Sequence, residues 1–431
     1  MLDIRFVRKN PDAVRSDLKK RGDKQKLNWF DELLELDEQQ RALQQQADNL
    51  RADRNKTTEK VKLLKKQGLD ATHALKEAQE IPEKIRRKDE EREKTAEKVR
   101  HYLMRLPNLL HESVPIGKDD SENETIREWG GKAIPCDEPK SHVDLLQSLE
   151  LADLERAARI SGARFYFLKN ELVLLDYALQ RLALDTLYKK GFTLLEPPHL
   201  MSRKPYEGAT DLSDFENVMY KIEGEDAYLI ATSEHPVVAM HAGEILDELP
   251  LKYAGVSPCY RKEAGAHGKD TKGIFRVHHF NKVEQVVFCK PEDSWKLHEE
   301  LLANAEDFFK KLEIPFRVVN ICTGDIGTVA AKKYDIEAWM PAQGTYREVV
   351  SASNCTAYQA CRLGIRYRTG AKNNKGEDEK DWVHTLNSTM VATSRAMVAI
   401  LENHQNQDGS ITIPKALQPY LPGIKKIRPK R

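Results

Sequence analysis

Apolar residues recur at alternating spacings of three and four along the first quarter of the chain. Positions 33, 36, 40, 43, 47, 50, 54, 57, 61 and 64 read Leu, Leu, Gln, Leu, Ala, Leu, Arg, Thr, Val and Leu, a heptad seam with two polar interruptions. Gly68 and Asp70 supply a stop and a new N-cap. A second seam follows through Ala78, Ile81, Ile85, Lys88, Arg92, Thr95, Val99, Tyr102 and Leu106 to Pro107, with Pro82 expected to kink that helix or delay its start. A short turn between two such helices makes them antiparallel, and at about 1.5 Å per residue they form an arm of roughly 55 to 60 Å. Before the arm, residues 1 to about 27 read as a small helical preface, with Asn10-Pro11 as a start and Gly22 as a break.

Beyond Pro107 the pattern changes. Residues 107 to 140 hold Pro107, Pro115, Pro135 and Pro139 with Gly117, Gly130 and Gly131, the composition of an irregular connection. Residues 172 to 190 carry an apolar face at helical spacing, end at Gly191, and lead to a strand, FTLLEPP. AYLIATSEHP reads as a strand running to the head of a helix. A helix is expected near 293 to 311, and strands near 316 to 323, 334 to 340 and 345 to 353. HTLNSTMVATSRAMVAILENHQ reads as a strand entering a helix capped near Asn387 or Ser388, with Ser388, Ala392, Ala396 and Ala399 as a small-residue face at helical spacing. The fold class is α+β, a mostly antiparallel sheet with flanking helices plus an N-terminal coiled-coil arm, divided as 1–110, a connection 111–140, and a globular body 141–431.

Composition narrows the function less than pattern does. The 431 residues carry a formal charge of +1, so any polyanion-binding surface is local. Residues 1 to 105 hold 27 Lys/Arg against 21 Asp/Glu, about +6, which leaves about −5 for the rest. No run approaches the ~18 apolar residues of a membrane span, and MLDIRFVRKNPD resembles neither a secretion signal nor a transit peptide, so a cytoplasmic protein is expected. Six scattered cysteines without a CxxC pair read as reduced structural thiols, with no zinc site.

The chemistry concentrates in YRKEAGAHGKDTKGIFRVHHFNKVEQ, Tyr260 to Gln285. Two strand-like runs flank a glycine-rich polar loop, Gly265 to Gly273. Strand alternation puts Arg261 and Glu263 on one face, and Arg276, His278, Phe280, Lys282 and Glu284 on the returning face. At about 3.4 Å per residue, Phe280 to Glu284 covers roughly 13 Å, the reach of a nucleotide joined to a small acid. Arginine forks suit phosphate or carboxylate, a flat Phe suits a purine ring, and a carboxylate suits an ammonium or hydroxyl. Each residue alone would be an ordinary solvated strand position; the cluster is what points to a site.

Arg261-Lys262-Glu263 followed by FRVHHFNKVEQ closely resembles the second signature motif of class II aminoacyl-tRNA synthetases, in its seryl-tRNA synthetase form. The helix, strand and proline around 172–198 resemble the first motif, which in the family forms much of a dimer interface, and the segment through Arg395 resembles the third. The stretch between Asn387 and Arg395 lacks the glycines of many bacterial members and is similar to the archaeal and eukaryotic branch. The resemblance implies ATP-dependent activation of L-serine to seryl-adenylate and transfer to tRNA(Ser), with tRNA(Sec) as a second candidate acceptor. It implies that Arg261, Arg276 and Arg395 are catalytic, and that Lys262, Glu263, Phe280, Glu348, Val349, Val350 and Ser351, with Val277 through its backbone, join them in binding ATP. It implies that Glu348 and Ser351 hold Mg²⁺ with ATP. Serine contacts are implied at Thr232, Ser233, Glu234, Arg261, Glu284, Asn387 and Thr389.

Two further expectations follow. Glu348 and Ser351, three apart, share a strand face only if a bulge or a strand end intervenes. The arm's Arg51, Arg54, Lys56, Lys60, Lys62, Lys65 and Lys66 would follow the phosphate backbone of tRNA, while the pattern alone fits a spacer or dimerisation coiled coil equally well. Two rival classes are a coiled-coil interaction protein with a dead synthetase-like body, and an enzyme that loads an amino acid onto a carrier protein.

Overall fold

The computed structural model describes residues 1–132, 134–211, 216–263, 272–372 and 376–429. It forms two compact units, Leu2–Pro107 and Asn108–Arg431, with Met1 joining the second.

The N-terminal unit is helical. Asp3 caps α1 (Ile4–Lys9) by accepting from the Arg5 amide at 2.7 Å, and α2 (Pro11–Lys20) opens on Pro11, whose missing N–H costs a first turn nothing. Gly22 takes a φ of +69°, and Asp23 then caps α3 (Lys24–Lys66), a helix of 43 residues. Gly68, also at +69°, turns the chain, and Asp70 accepts from the Thr72 amide at 2.8 Å and its hydroxyl at 2.6 Å to start α4 (Thr72–Arg105). That helix begins ten residues before Pro82 and runs through it, so the proline does not delay its start.

Every seam position on both helices is buried or half-buried except Arg54. Polar groups fix the register where the seam is thin. Arg51, placed by sequence on the phosphate-following face, instead turns inward to Asp89 on α4 at 2.8 Å and to Asp48 at 2.7 Å. Arg54, Lys56, Lys60, Lys62, Lys65 and Lys66 are exposed. Asp37, 2% exposed, is held by Arg8 of α1 at 2.6 Å and Arg41 at 3.1 Å, which locks the preface onto α3.

The second unit is built on an eight-stranded sheet. Its strands in chain order are β1 (Glu124–Trp129), β2 (Thr193–Leu195), β3 (Leu251–Tyr260), β4 (His279–Cys289), β5 (Phe316–Asn320), β6 (Lys332–Met340), β7 (Thr345–Asn354) and β8 (His384–Ala392). Their spatial order is β1-β5-β6-β7-β8-β4-β3-β2, antiparallel except for the β2–β3 pair. The segment read as an irregular connection therefore supplies an edge strand, β1, of the main sheet. Helices α5 (Glu171–Lys189), α8 (Ser294–Lys311) and α10 (Thr393–Asn403) bury Leu175, Leu179, Leu301, Phe308, Met397 and Ile400 in one core with Val283, Val287, Ile336 and Val350 of the strands. The short helices α6 (Arg203–Ala209), α7 (Glu234–Ala239) and α9 (Tyr358–Leu363) lie beside these strands, and Val237 and Val238 of α7 pack on Val286 and Phe288.

Three expectations are corrected. The extended run expected over Arg276–His278 is absent: β4 starts at His279, and Glu263 has a φ of +49° just after β3, which ends the alternation there. Most of the expected loop Gly265–Gly273, residues 265–271, lies outside the described residues. Asn387 and Ser388 are not helix caps but lie inside β8, opposite Val286 and Gln285, and α10 starts only at Thr393. Ser388 and Ala392 accordingly belong to a strand, not to a helical small-residue face.

Of the bulge or strand end expected between Glu348 and Ser351, the structure has the bulge. Ile336 pairs with Val350 and Glu337 with Glu348, so Val349 is the extra residue of β7. A second bulge at Met390 separates Thr389, opposite Glu284, from Val391, opposite Val283.

Candidate active site

Four adjacent strands, β6, β7, β8 and β4, floor a cavity of about 770 Å³, a size that suits a small-molecule ligand. Alternation along β4 turns Phe280, Lys282 and Glu284 into it, and the β7 bulge turns in both Glu348 and Ser351. Arg261 and Glu263 enter from the end of β3, Arg276 from the segment before β4, Arg395 from α10, and Thr232 and Glu234 from the head of α7. Val349, Asn387 and Thr389 complete the expected residues on its walls.

One end is cationic. Arg395 Nη1 lies 3.1 Å from Glu348 Oε1 and donates to the Glu348 carbonyl at 2.9 Å. Arg276 Nη1 pairs with Glu263 Oε2 at 3.0 Å. Arg261 donates to the Ala231 carbonyl at 3.3 Å, and its guanidinium lies 5.3 Å from the Phe280 ring centroid. Enclosure pushes the Glu348 carboxyl up, but the charges of Arg395, Lys333 and Arg261 outweigh it and hold it at about 2. Glu348 is thus an ionised oxygen donor among cations, with the Ser351 hydroxyl as a neutral one beside it.

The other end is acidic and enclosed. Glu284, 2% exposed, lies 2.5 Å from Lys282 Nζ and accepts from Thr389 Oγ1 at 3.3 Å. Glu234 accepts from Gln359 Nε2 at 2.9 Å, and Thr232 Oγ1 accepts the Glu234 amide at 3.2 Å. Burial, reinforced by the Glu284 charge, raises the Glu234 carboxyl to about 7. His235 Nδ1 faces the Tyr206 hydroxyl at 2.9 Å; burial and the nearby Lys282 and Arg261 charges hold its pKa at about 3, so the ring is neutral. Asn387 Nδ2 lies 3.6 Å from Cys355 Sγ, whose thiol burial pushes far up. The chemistry of this pocket suits a small zwitterion at one end and a polyanion at the other.

Four expected contacts stand off the cavity wall. Ser233 is fully buried and donates to the Gly255 carbonyl at 3.0 Å; a Cβ on Gly255 would sit 2.7 Å from that hydroxyl, so the close approach requires glycine. Lys262 points its Nζ toward the Tyr220 ring at 5.8 Å. The Val277 and Val350 side chains lie in the core, which for Val277 is the expected placement, its contact being implied through the backbone. Conversely, Lys333, His235, Cys355 and the segment 326–330 line the cavity without having been assigned a role. Lys333 was detectable: it alternates with Asp335 and Glu337 on β6, and its Nζ lies 3.3 Å from Asp335 Oδ2. Residues 326–330 carry no charge or motif and enter only through the fold.

Comparison with known proteins agrees in both units. Residues 218–404 match the tRNA synthetase class II core domain of the G, H, P, S and T enzymes, and residues 1–110 match the seryl-tRNA synthetase N-terminal domain. The chain is 59% identical to the serine–tRNA ligase of Methanocella arvoryzae, covering 98% of this chain and 99% of that one. It is 54% identical to that of Thermococcus sibiricus, covering 100% and 98%. The crystal structure of seryl-tRNA synthetase from Pyrococcus horikoshii complexed with ATP superposes with a TM-score of 0.94 at 52% identity, covering all of both chains. That of the cytoplasmic serine–tRNA ligase from Naegleria fowleri in complex with AMP gives 0.89 at 35% identity, covering 100% and 99%. Identity of this extent over both units, with the same fold throughout, means that the chain belongs to the family of class II seryl-tRNA synthetases, the serine–tRNA ligases.

Proposed function

We propose that this serine–tRNA ligase activates L-serine with ATP in the cavity on its sheet and esterifies the product to the 3′ end of tRNA(Ser). The serine carboxylate attacks the α-phosphorus, pyrophosphate leaves, and a terminal ribose hydroxyl of the tRNA then displaces AMP from the carbonyl carbon. No side-chain nucleophile takes part, so the protein's task is to align two anions and to offset the charge that accumulates between them.

Arg261 would lie between the carboxylate and the α-phosphate, with Arg276 and Arg395 on the phosphate chain and Phe280 against the base. Glu234 would take the ammonium, and Glu284 with Thr389 the hydroxyl. Alanine would leave those buried groups unpaired, a penalty that reaches roughly 10⁴-fold, while threonine is refused by size. Glu348 and Ser351 are hard oxygen donors that fit Mg²⁺, which would neutralise phosphate charge when bound with ATP. The exposed cations of α3 would follow the tRNA backbone. The exposed Leu174, Tyr177 and Tyr188 on α5 support a homodimer through that helix. The protein would work in the cytoplasm, where tRNA is charged; no described helix is long and apolar enough to cross a membrane.

The observation that carries this reading is the convergence of Arg261, Phe280 and Glu284 on one cavity. Purified protein should exchange labelled pyrophosphate into ATP with serine and charge tRNA(Ser). Exchange without serine dependence, or none at all, would overturn it.

A further inference from the structure

Gln359 on α9 is fully buried and outside every motif considered above, yet its amide touches three separate elements. Its Nε2 donates to the Ala209 carbonyl at the end of α6 at 2.8 Å and to Glu234 Oε1 at the head of α7 at 2.9 Å. Its Oε1 accepts from the Thr385 hydroxyl on β8 at 2.6 Å. The Ala209 carbonyl can only accept, so the amide has one permitted orientation: a flip would face its oxygen with two acceptors. Both amide hydrogens are consumed and the oxygen is capped, which leaves the group no freedom to turn. Glu234 Oε1 is therefore tied down, while Oε2 has no hydrogen-bond partner among the described residues and the side chain lines the cavity.

We infer that Gln359 is a positioning residue for amino-acid recognition: its fixed amide holds Glu234 so that the second carboxylate oxygen faces the substrate ammonium. This rests on the reading of Glu234 as a serine contact. Without the amide, Glu234 keeps its place on the backbone but loses the donor that fixes its rotamer and favours its ionised form in an enclosed pocket, and an enclosed carboxylate short of a donor is the costly case. Gln359 never meets the substrate, so its effect must pass through Glu234.

The test uses full-length protein and four variants, Gln359→Met, Glu234→Gln, their combination, and Thr385→Val, each assayed by pyrophosphate exchange. Gln359→Met keeps the length and removes the amide. It should raise the KM for serine about 10- to 100-fold, the effect of losing a hydrogen bond to a charged group, and leave the KM for ATP within about twofold. In the Glu234→Gln background the same change should add less than about threefold, because the two act as one unit. Thr385→Val, which disturbs only the far side of the amide, should shift serine KM in the same direction by less, and keeps the question open to experiment where Gln359→Met does not fold. Equal losses for serine and ATP, or penalties that simply multiply in the double variant, overturn the inference. A harmful Glu234→Gln beside a harmless Gln359→Met sinks the inference alone; a harmless Glu234→Gln removes the underlying reading as well.

Discussion

Thr389 on β8 stands opposite Glu284 on β4, and its hydroxyl donates to Glu284 Oε2 at 3.3 Å, one residue before the bulge at Met390. With Lys282 on the same oxygen, Glu284 has Oε2 already supplied. Glu284→Ala should abolish serine-dependent pyrophosphate exchange while circular dichroism remains that of the folded protein. Thr389→Val should be milder, raising serine KM about 10-fold through one lost hydrogen bond to a charged group. Exchange near the parent rate in Glu284→Ala would remove this carboxylate from serine recognition.

Glu234 gives a pH dependence with a definite sign. Its carboxyl rises from the usual 4.5 to about 7, through burial first and the Glu284 charge second. Between those values the folded protein carries a proton that the unfolded chain lacks. This contribution to stability is complete below about 4.5 and is lost as pH rises through about 7. An ammonium needs the ionised form, so kcat/KM for serine, which reports the free enzyme, should fall on the acid side of about 7. Glu234→Gln should flatten that limb; an unchanged limb in the variant would assign it to another group.

The arm permits a separation of the two half-reactions. Deleting residues 30 to 105 should spare adenylate formation and remove tRNA charging, because the exposed Arg54, Lys56, Lys60, Lys62, Lys65 and Lys66 go with it and none lines the cavity. Charging by the intact chain should also weaken steeply with salt. Equal loss of both half-reactions on deletion contradicts the division.

Asp37 tests the N-terminal unit alone. Two arginines converge on a carboxylate that is 2% exposed, and Asp37→Ala leaves both short of a partner inside the helix packing. The expected cost is about 2 kcal/mol, discounted because both guanidinium groups reach solvent, and it should register as a lower melting midpoint with pyrophosphate exchange unaffected. No change in midpoint would make the cluster a surface ion pair of little consequence.

What could be read from the sequence divides by the range of the physics involved. The arm seams follow from a local period, and the strand and helix spans at 294–354 follow from apolar runs between turn residues, so both fell within a few residues of their expected places. Even the irregularity in β7 was legible, because Glu348 and Ser351 could share a face only through a bulge or a strand end, and pairing with β6 decides for the bulge. The failures are tertiary. Arg51 was assigned to solvent because nothing local announces Asp89, 38 residues away. Asn387 and Ser388 look like caps, yet pairing with β4 keeps them extended. A left-handed turn at Glu263 and an irregular approach through Arg276 bring those side chains together where simple alternation had placed them on separate strands. Gln359 bears no charge and no motif; only its neighbours give it meaning.

The surplus residue at Val349 makes pairing register a constraint of its own. With every residue kept and the ladder made even, Glu348 and Ser351, three apart, would face opposite sides of the sheet, although every polar group of the site would still be encoded. Descendants of this sequence can therefore shed the valine, which leaves the two residues two apart and on one side, more readily than they can iron out the irregular pairing while keeping its full length.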